Sequence, residues 1–322
     1  MLHGVRDVAQ TIRVRRNPSE PEVGVRVAHL PTMAFSKILC PTDFSPGSEH
    51  ALQVATRMAR DSGAELVILH AWYIPTTAYS LEAVFPATMV RDITGESQQA
   101  LDAAVDKAKA DGVPRATAKL VSGMPWAQIV DELTAQPYDV CVIGTHGRTG
   151  IARVLLGSVA EKVTRHAPCS VLVVHPGTTP KPFHHALVAT DFSDCAAQAL
   201  DLATTLIEPT GSITLLHVIE IPVVYAGELP IADFAPDLDK SASGALDREL
   251  ARAQTATTVS IERRTRIGYP GAQILAAVEE DSTIDLVVMG SHGRTGLKRV
   301  LLGSVAEKVV RHARRPVLVA HK

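Results

Sequence analysis

GTHGRTGIARVLLGSVAEKVTRHA, from Gly144 to Ala167, and GSHGRTGLKRVLLGSVAEKVVRHA, from Gly290 to Ala313, differ at only four of 24 positions and lie 146 residues apart. A match of that length marks an internal duplication, and self-similarity at a fixed period decides architecture more firmly than local propensity does. Working outward, KILCPTDFS (Lys37 to Ser45) answers ALVATDFS (Ala186 to Ser193), LVILHA (Leu66 to Ala71) answers ITLLHV (Ile213 to Val218), and GMPWAQI answers GYPGAQI. The order is the same in both halves, so the chain is two copies of one fold.

Within the first copy, short apolar runs at Lys37 to Pro41, Glu65 to Ala71, Ala116 to Val121, Val140 to Gly144 and Ser170 to Val174 alternate with longer helical patterns. Strand, helix, strand repetition predicts parallel strands joined by right-handed crossovers, with helices on both faces. The expected fold class is therefore α/β: two tandem doubly wound, Rossmann-like domains, each a five-stranded parallel sheet. The second copy runs through Val317 to Ala320. Ser45 followed by Pro46 predicts a capped helix start, and Gly63 its end. Domains are expected at 34–176 and 184–322, with the Pro-, Gly- and Thr-rich 177–183 as linker. The segments Pro75 to Gly95 and Ile221 to Ser243 match poorly between copies and read as variable loops, or lids.

A chain of 322 residues holds two domains of ordinary size, and 46% hydrophobic with 4% aromatic residues suits a core of Val, Leu, Ile and Ala. Lys plus Arg (32) nearly balances Asp plus Glu (34), so no overall field favours nucleic acid or an anionic membrane, and neither is expected as a partner. Cys40, Cys141, Cys169 and Cys195 show no CxxC spacing and read as reduced thiols of a cytoplasmic protein. Residues 1–33, with Arg13, Arg15, Arg16 and several prolines and acids, read as a flexible extension, and translation is expected to begin at Met33.

The sharpest chemical feature is GxxG, nine residues, then GS: Gly144, Gly147, Gly157 and Ser158 in one copy, Gly290, Gly293, Gly303 and Ser304 in the other. Each follows a strand, at the edge where doubly wound sheets bind ligands, so bare backbone there can meet phosphate oxygens. SVAE, Ser158 to Glu161, reads as a capping box opening a helix to His166, and a helix start is an anion site. Arg148 and Arg294 supply charge, and Thr145 or Ser291 a hydroxyl. The plainer reading gives the glycines to tight turns and Ser158 to its own helix. Asp43 and Asp191 end the first strand of each copy, where a carboxylate either accepts from an adenine amino group or ribose hydroxyl, or caps the next helix; both readings stand. His146 and His292 lack partners at ligand spacing and read as loop-shaping, so no catalytic or metal-ligating residue is expected.

These motifs resemble the universal stress protein family: PTDFS on the first strand, LH ending the second, GxP before the third helix, and the GxxG, nine residues, GS run. The likeness covers Ser36 to Lys322, twice, and points to the ATP-binding branch. It implies that Pro41, Asp43 and Ala71 surround adenine, with Ile143, Gly144, Gly147, Gly157, Ser158 and Val159 around ribose and phosphates. In the second copy the matching residues are Asp191, Val218, Met289, Gly290, Gly293, Gly303, Ser304 and Val305, with Ala189 standing where the first has Pro41. It implies ATP with Mg2+ as ligand, and antiparallel pairing of Ser170 to Val174 with Pro316 to Ala320, an intramolecular pseudo-dimer able to dimerise further. The expected function is a regulatory, stress-response nucleotide-binding protein with one site per copy. The alternative is a slow ATPase or phosphotransfer enzyme, against which stands the lack of GxxxxGK[ST] and GxSxG motifs.

Overall fold

The computed structural model describes residues 11–14, 23–26, 35–73, 87–145, 156–220, 231–255, 257–293 and 302–321. Residues 1–34 form one unit. In it Thr11–Val14 (β1) pairs antiparallel with Val23–Arg26 (β2), Thr11 opposite Arg26 and Val14 opposite Val23. Charge and proline content point to a flexible extension, and within it these two stretches, rich in β-branched residues, form a ladder.

Phe35–Lys322 forms the second unit. Its first half runs Lys37–Pro41 (β3), Pro46–Ser62 (α1), Glu65–Trp72 (β4), Ala87–Ala110 (α2), Ala116–Ser122 (β5), Pro125–Ala135 (α3), Val140–Gly144 (β6), Ser158–His166 (α4) and Ser170–Val174 (β7). The second half repeats it: Phe183–Thr190 (β8), Asp194–Leu206 (α5), Ile207–Ile219 (β9), Ile231–Gln254 (α6), Ser260–Ile267 (β10), Pro270–Glu280 (α7), Leu286–Gly290 (β11), Ser304–His312 (α8) and Val317–Ala320 (β12). The segments read as lids are in part helical, since Ala87 to Gly95 and Ile231 to Ser243 belong to α2 and α6; residues 74–86 and 221–230 lie outside the described residues. The linker is also shorter than its composition suggests, because Phe183 already belongs to β8, is buried, and carries the Arg57 guanidinium 5.1 Å above its ring.

Ten strands form one sheet in the order β5-β4-β3-β6-β7-β12-β11-β8-β9-β10. Each half is parallel throughout, and the halves meet through β7 and β12, which run antiparallel with Leu172 opposite Leu318. The expected pairing of final strands is thus present, and it turns two five-stranded sheets into one continuous sheet without a bare edge between them. Strand order reverses beside β3 and β8, the position where open α/β sheets leave a crevice at their carboxyl ends.

Period-two alternation distributes the strand residues between two cores. Ile38, Cys40, Leu66, Ile68, Val140 and Val142 pack in one cluster with Ala51, Val54 and Met58 of α1 and Leu101 and Val105 of α2. Leu39, Val67, Leu69, Cys141 and Ile143 pack in the other with Ile129 and Leu133 of α3 and Ala160 and Val163 of α4. A second tie spans the seam between halves: Arg165 meets Glu161 and Glu307, both at 3.4 Å, and Arg311 meets Glu307 at 3.0 Å and Glu161 at 3.4 Å.

Candidate functional site

The turn after β3 is built by its own side chains. Ser45 Oγ accepts from the Ser48 amide at 3.3 Å and caps α1, with Pro46 in the first turn and Gly63 closing the helix at φ 70°. Asp43 Oδ1 accepts from the Ser45 amide at 3.1 Å, so the carboxylate braces the turn and the helix cap falls to Ser45. Between them Phe44 sits at φ 61°, a left-handed conformation that costs a non-glycine residue about 1–3 kcal/mol. Three contacts hold it there. The Phe44 amide donates to Thr42 Oγ1 at 3.0 Å, the Phe44 ring stacks on His70 with centroids 4.6 Å apart, and His70 Nδ1 donates to the Thr42 carbonyl at 2.7 Å.

The second copy reproduces this: Phe192 at φ 65°, its amide on Thr190 Oγ1 at 3.0 Å, its ring 4.4 Å from His217, and His217 Nδ1 on the Thr190 carbonyl at 2.8 Å. The histidine near the end of the second strand therefore works through its ring, locking a strained turn. Spacing alone does not reveal this, because residues 28 apart meet only once β3 and β4 lie side by side.

A cavity of about 250 Å³ opens at this edge. Of the residues read from sequence, Pro41, Asp43, Ala71, Ile143, Gly144, Ser158 and Val159 line it together, and Thr145 joins them. Thr42, Ser48, Leu69, Pro125, Ile129 and Ala160 also line it and were missed. The recurrence of GMPWAQI and GYPGAQI was the signal for Pro125 and Ile129. Gly147, Arg148 and Arg294, together with His146, lie outside the described residues. In the second copy Asp191, Val218, Met289, Gly290, Gly303, Ser304 and Val305 hold the corresponding positions on the matching strands, turns and helix start. Gly293 approaches Asp191 so closely that a Cβ there would lie 2.6 Å from its Oδ2.

Two details revise the reading of the glycines and serines. A Cβ on Gly144 would stand 2.6 Å from the Gly47 carbonyl oxygen, and one on Gly290 2.8 Å from Cys195 Cβ, so these glycines let α1 and α5 approach the sheet. The N-cap of α4 is Gly157, at φ −72° and ψ 150°, and no side chain caps the helix. Ser158 is the first helical residue rather than the cap, so SVAE is not a capping box; α8 repeats the arrangement with Gly303 and Ser304. First-turn amides have no intrahelical acceptor, and the exposed Ser158 and Ser304 hydroxyls stand beside them. Gly157 N–H donates to the Thr145 carbonyl at 2.6 Å and Gly303 N–H to the Ser291 carbonyl at 2.8 Å, closing the base of each glycine-rich loop.

The two sites differ in polar support. Thr42 Oγ1 shares a hydrogen bond with Ser48 Oγ at 3.1 Å, whereas Ala196 replaces that serine and Thr190 Oγ1 instead donates to Glu249 Oε2 at 2.9 Å. Burial pushes the Glu249 carboxyl above its usual range, against the pull of the Thr190 hydroxyl. His292 shapes its loop, pairing through Nδ1 with Ser291 Oγ at 2.7 Å.

The sequence model of the universal stress protein family matches residues 34–175 and again 182–321. A universal stress protein of Mycobacterium tuberculosis is 29% identical over 88% of this chain and 96% of its own length. Another from that organism is 33% identical over 57% of this chain, the match spanning 62% of the relative. Among solved structures, a universal stress protein from Archaeoglobus fulgidus superposes on 88% of this chain and 98% of its own with a TM-score of 0.66 at 24% identity, a likeness of fold. With the family model matched over both halves, and the same turn, helix start and strand order built twice, this chain belongs to the universal stress protein family as a tandem, Rossmann-like member.

Proposed function

We propose that each copy binds an adenine nucleotide, ATP carried with Mg2+, and that the protein acts in the cytoplasm as a stress-response regulator through occupancy rather than turnover. The observation that carries this is the uncapped start of α4 facing a cavity at the carboxyl edge of the sheet, with α8 starting in the same uncapped way at the equivalent place in the second copy. A helix start with free amides and positive potential favours a phosphate group. Leu69, Ala71, Ile129 and Ile143 offer the flat apolar surface a purine needs, and the turn-braced Asp43 carboxylate lies at the same cavity as an acceptor for its amino group or ribose.

The residues fit the group in its parts. Base and ribose occupy the cavity, phosphates reach the Ser158 and Ser304 helix starts, and magnesium, a hard cation that keeps oxygen ligands, travels on the phosphates. Binding to the folded form alone would stabilise it by about 2.7 kcal/mol at 100 times the dissociation constant. The test is to denature freshly purified full-length protein, identify the released small molecule by mass spectrometry, and titrate the emptied protein with ATP and magnesium by calorimetry. Release of adenine nucleotide and two binding events per chain are expected. No nucleotide in the supernatant and no heat on titration would defeat the reading.

A further inference from the structure

We propose that the second copy carries a separate site for a small aromatic carboxylate, at the edge of the sheet opposite the crevice, in the cleft between the carboxyl-terminal halves of α7 and α8. The cleft measures about 620 Å³, within the range of small-molecule pockets. Its apolar wall is Leu275, Val278 and Ala313, and its rim carries His312, Arg314 and Arg315 against the single acid Glu279. Both helices lead from here into the amino-terminal ends of β11 and β12, so the cleft is remote from the nucleotide cavity.

The first copy is an internal control for each part. Helices α4 and α8 both end in Arg-His-Ala, so a cation complementing the last carbonyls is common to both. Arg314 and Arg315 come after the helix has ended, where the first copy has Pro168 and Cys169, so the helix end does not require them. Arg315 is already oriented, its Nη2 donating to the Ser282 carbonyl at 3.1 Å.

Trp126 shows what the same helix pair does with an aromatic ring. In the first copy its indole lies 5.9 Å from the His166 ring with Lys162 Nζ 5.0 Å above it. Lys308 and His312 are the corresponding residues, but Gly271 replaces the tryptophan, and Lys308 lies across it with Cδ 2.9 Å from where a Cβ would stand. Among the described residues no ring stands against His312 and Lys308 as Trp126 does in the first copy, and His312 lines the cleft with the two added guanidinium groups. Guanidinium forks recognise carboxylates, and a cation and an imidazole accept an aromatic face.

The test uses 2-naphthoate and its neutral isostere 2-naphthamide on the full-length protein with ATP and magnesium present. Calorimetry should show one naphthoate per chain, bound roughly tenfold or more tighter than the amide, as expected of charge-assisted hydrogen bonds. R314P/R315C, which installs the first copy's residues, should remove that preference, and G271W should weaken both probes. R314Q/R315Q carries the same test if the first variant does not fold. Equal binding of acid and amide, an unchanged preference in both arginine variants, or displacement of naphthoate by ATP would overturn the proposal and leave the nucleotide reading untouched.

Discussion

Mild acid should weaken the fold through one buried ring. His321 follows β12 and is 9% exposed; burial, joined by the nearby His292, lowers its pKa from 6.5 to about 4, with the Thr164 backbone only partly opposing. The unfolded chain takes up a proton at His321 near pH 6.5 while the folded chain refuses it until about pH 4. Stability is therefore unaffected above the unfolded value, falls as pH drops below it, and levels off beneath the folded one. At pH 5 that differential amounts to about 2 kcal/mol, from 1.36 kcal/mol per pK unit summed over the titration. Urea unfolding at pH 7.5 and pH 5 would measure it against His321→Gln, so that other histidines cancel. The parent should lose about 2 kcal/mol more than the variant between those pH values. Equal losses, or a His321 ring titrating near 6.5 by NMR, would refute the reasoning.

Ser45→Ala should cost about 1 kcal/mol in urea unfolding, since that hydroxyl caps α1, whereas Ser158→Ala should change stability by less than about 0.5 kcal/mol and weaken nucleotide binding instead. Gly144→Ala places a methyl 2.6 Å from the Gly47 carbonyl oxygen and should destabilise by about 1–3 kcal/mol, with no loss expected only if α1 can lift from the sheet. A double-mutant cycle on Glu161 and Arg311 should give a coupling of about 0.2–1 kcal/mol that shrinks in high salt, because these side chains are 31% and 42% exposed.

What was legible followed from short-range pattern. All five of the first copy's strands are legible to within a residue at each end, since apolar runs bounded by turn residues leave few alternatives, whereas the antiparallel pairing of β7 with β12 follows from the family likeness. Ser45, Pro46 and Gly63 marked α1 because caps are local chemistry. The cavity lining is legible at Pro41, Ala71 and Ser158, which lie towards strand ends and at a helix start. It was illegible where the packing partner is distant in sequence: Ser48 and Ile129 enter the cavity only after α1 and α3 settle on opposite faces of the sheet. The misreading of Ser158 has a similar origin. A capping box and a glycine cap share the letters G-S-x-x-E, and only the extended backbone at Gly157 separates them.

The pattern of likeness between the copies has a physical cause in the seam. The ion-pair ring takes one glutamate and one arginine from each of α4 and α8, so a change in either helix must suit a partner in the other copy as well as its own. Those same helices carry the two uncapped, glycine-led starts, which adds a second demand on nine residues that differ at a single position, Thr164 against Val310. Helix α3 packs on α4, and α7 on α8, each within its own copy, so Trp126 and Gly271 can differ without altering the seam. The same freedom holds beside the turn, where Ala196 stands in place of Ser48 and Glu249 accepts from the threonine hydroxyl. Equivalence is thus enforced along the axis and released away from it, which is why the two helix starts are alike while Thr42 and Thr190 are supported by different chemistry.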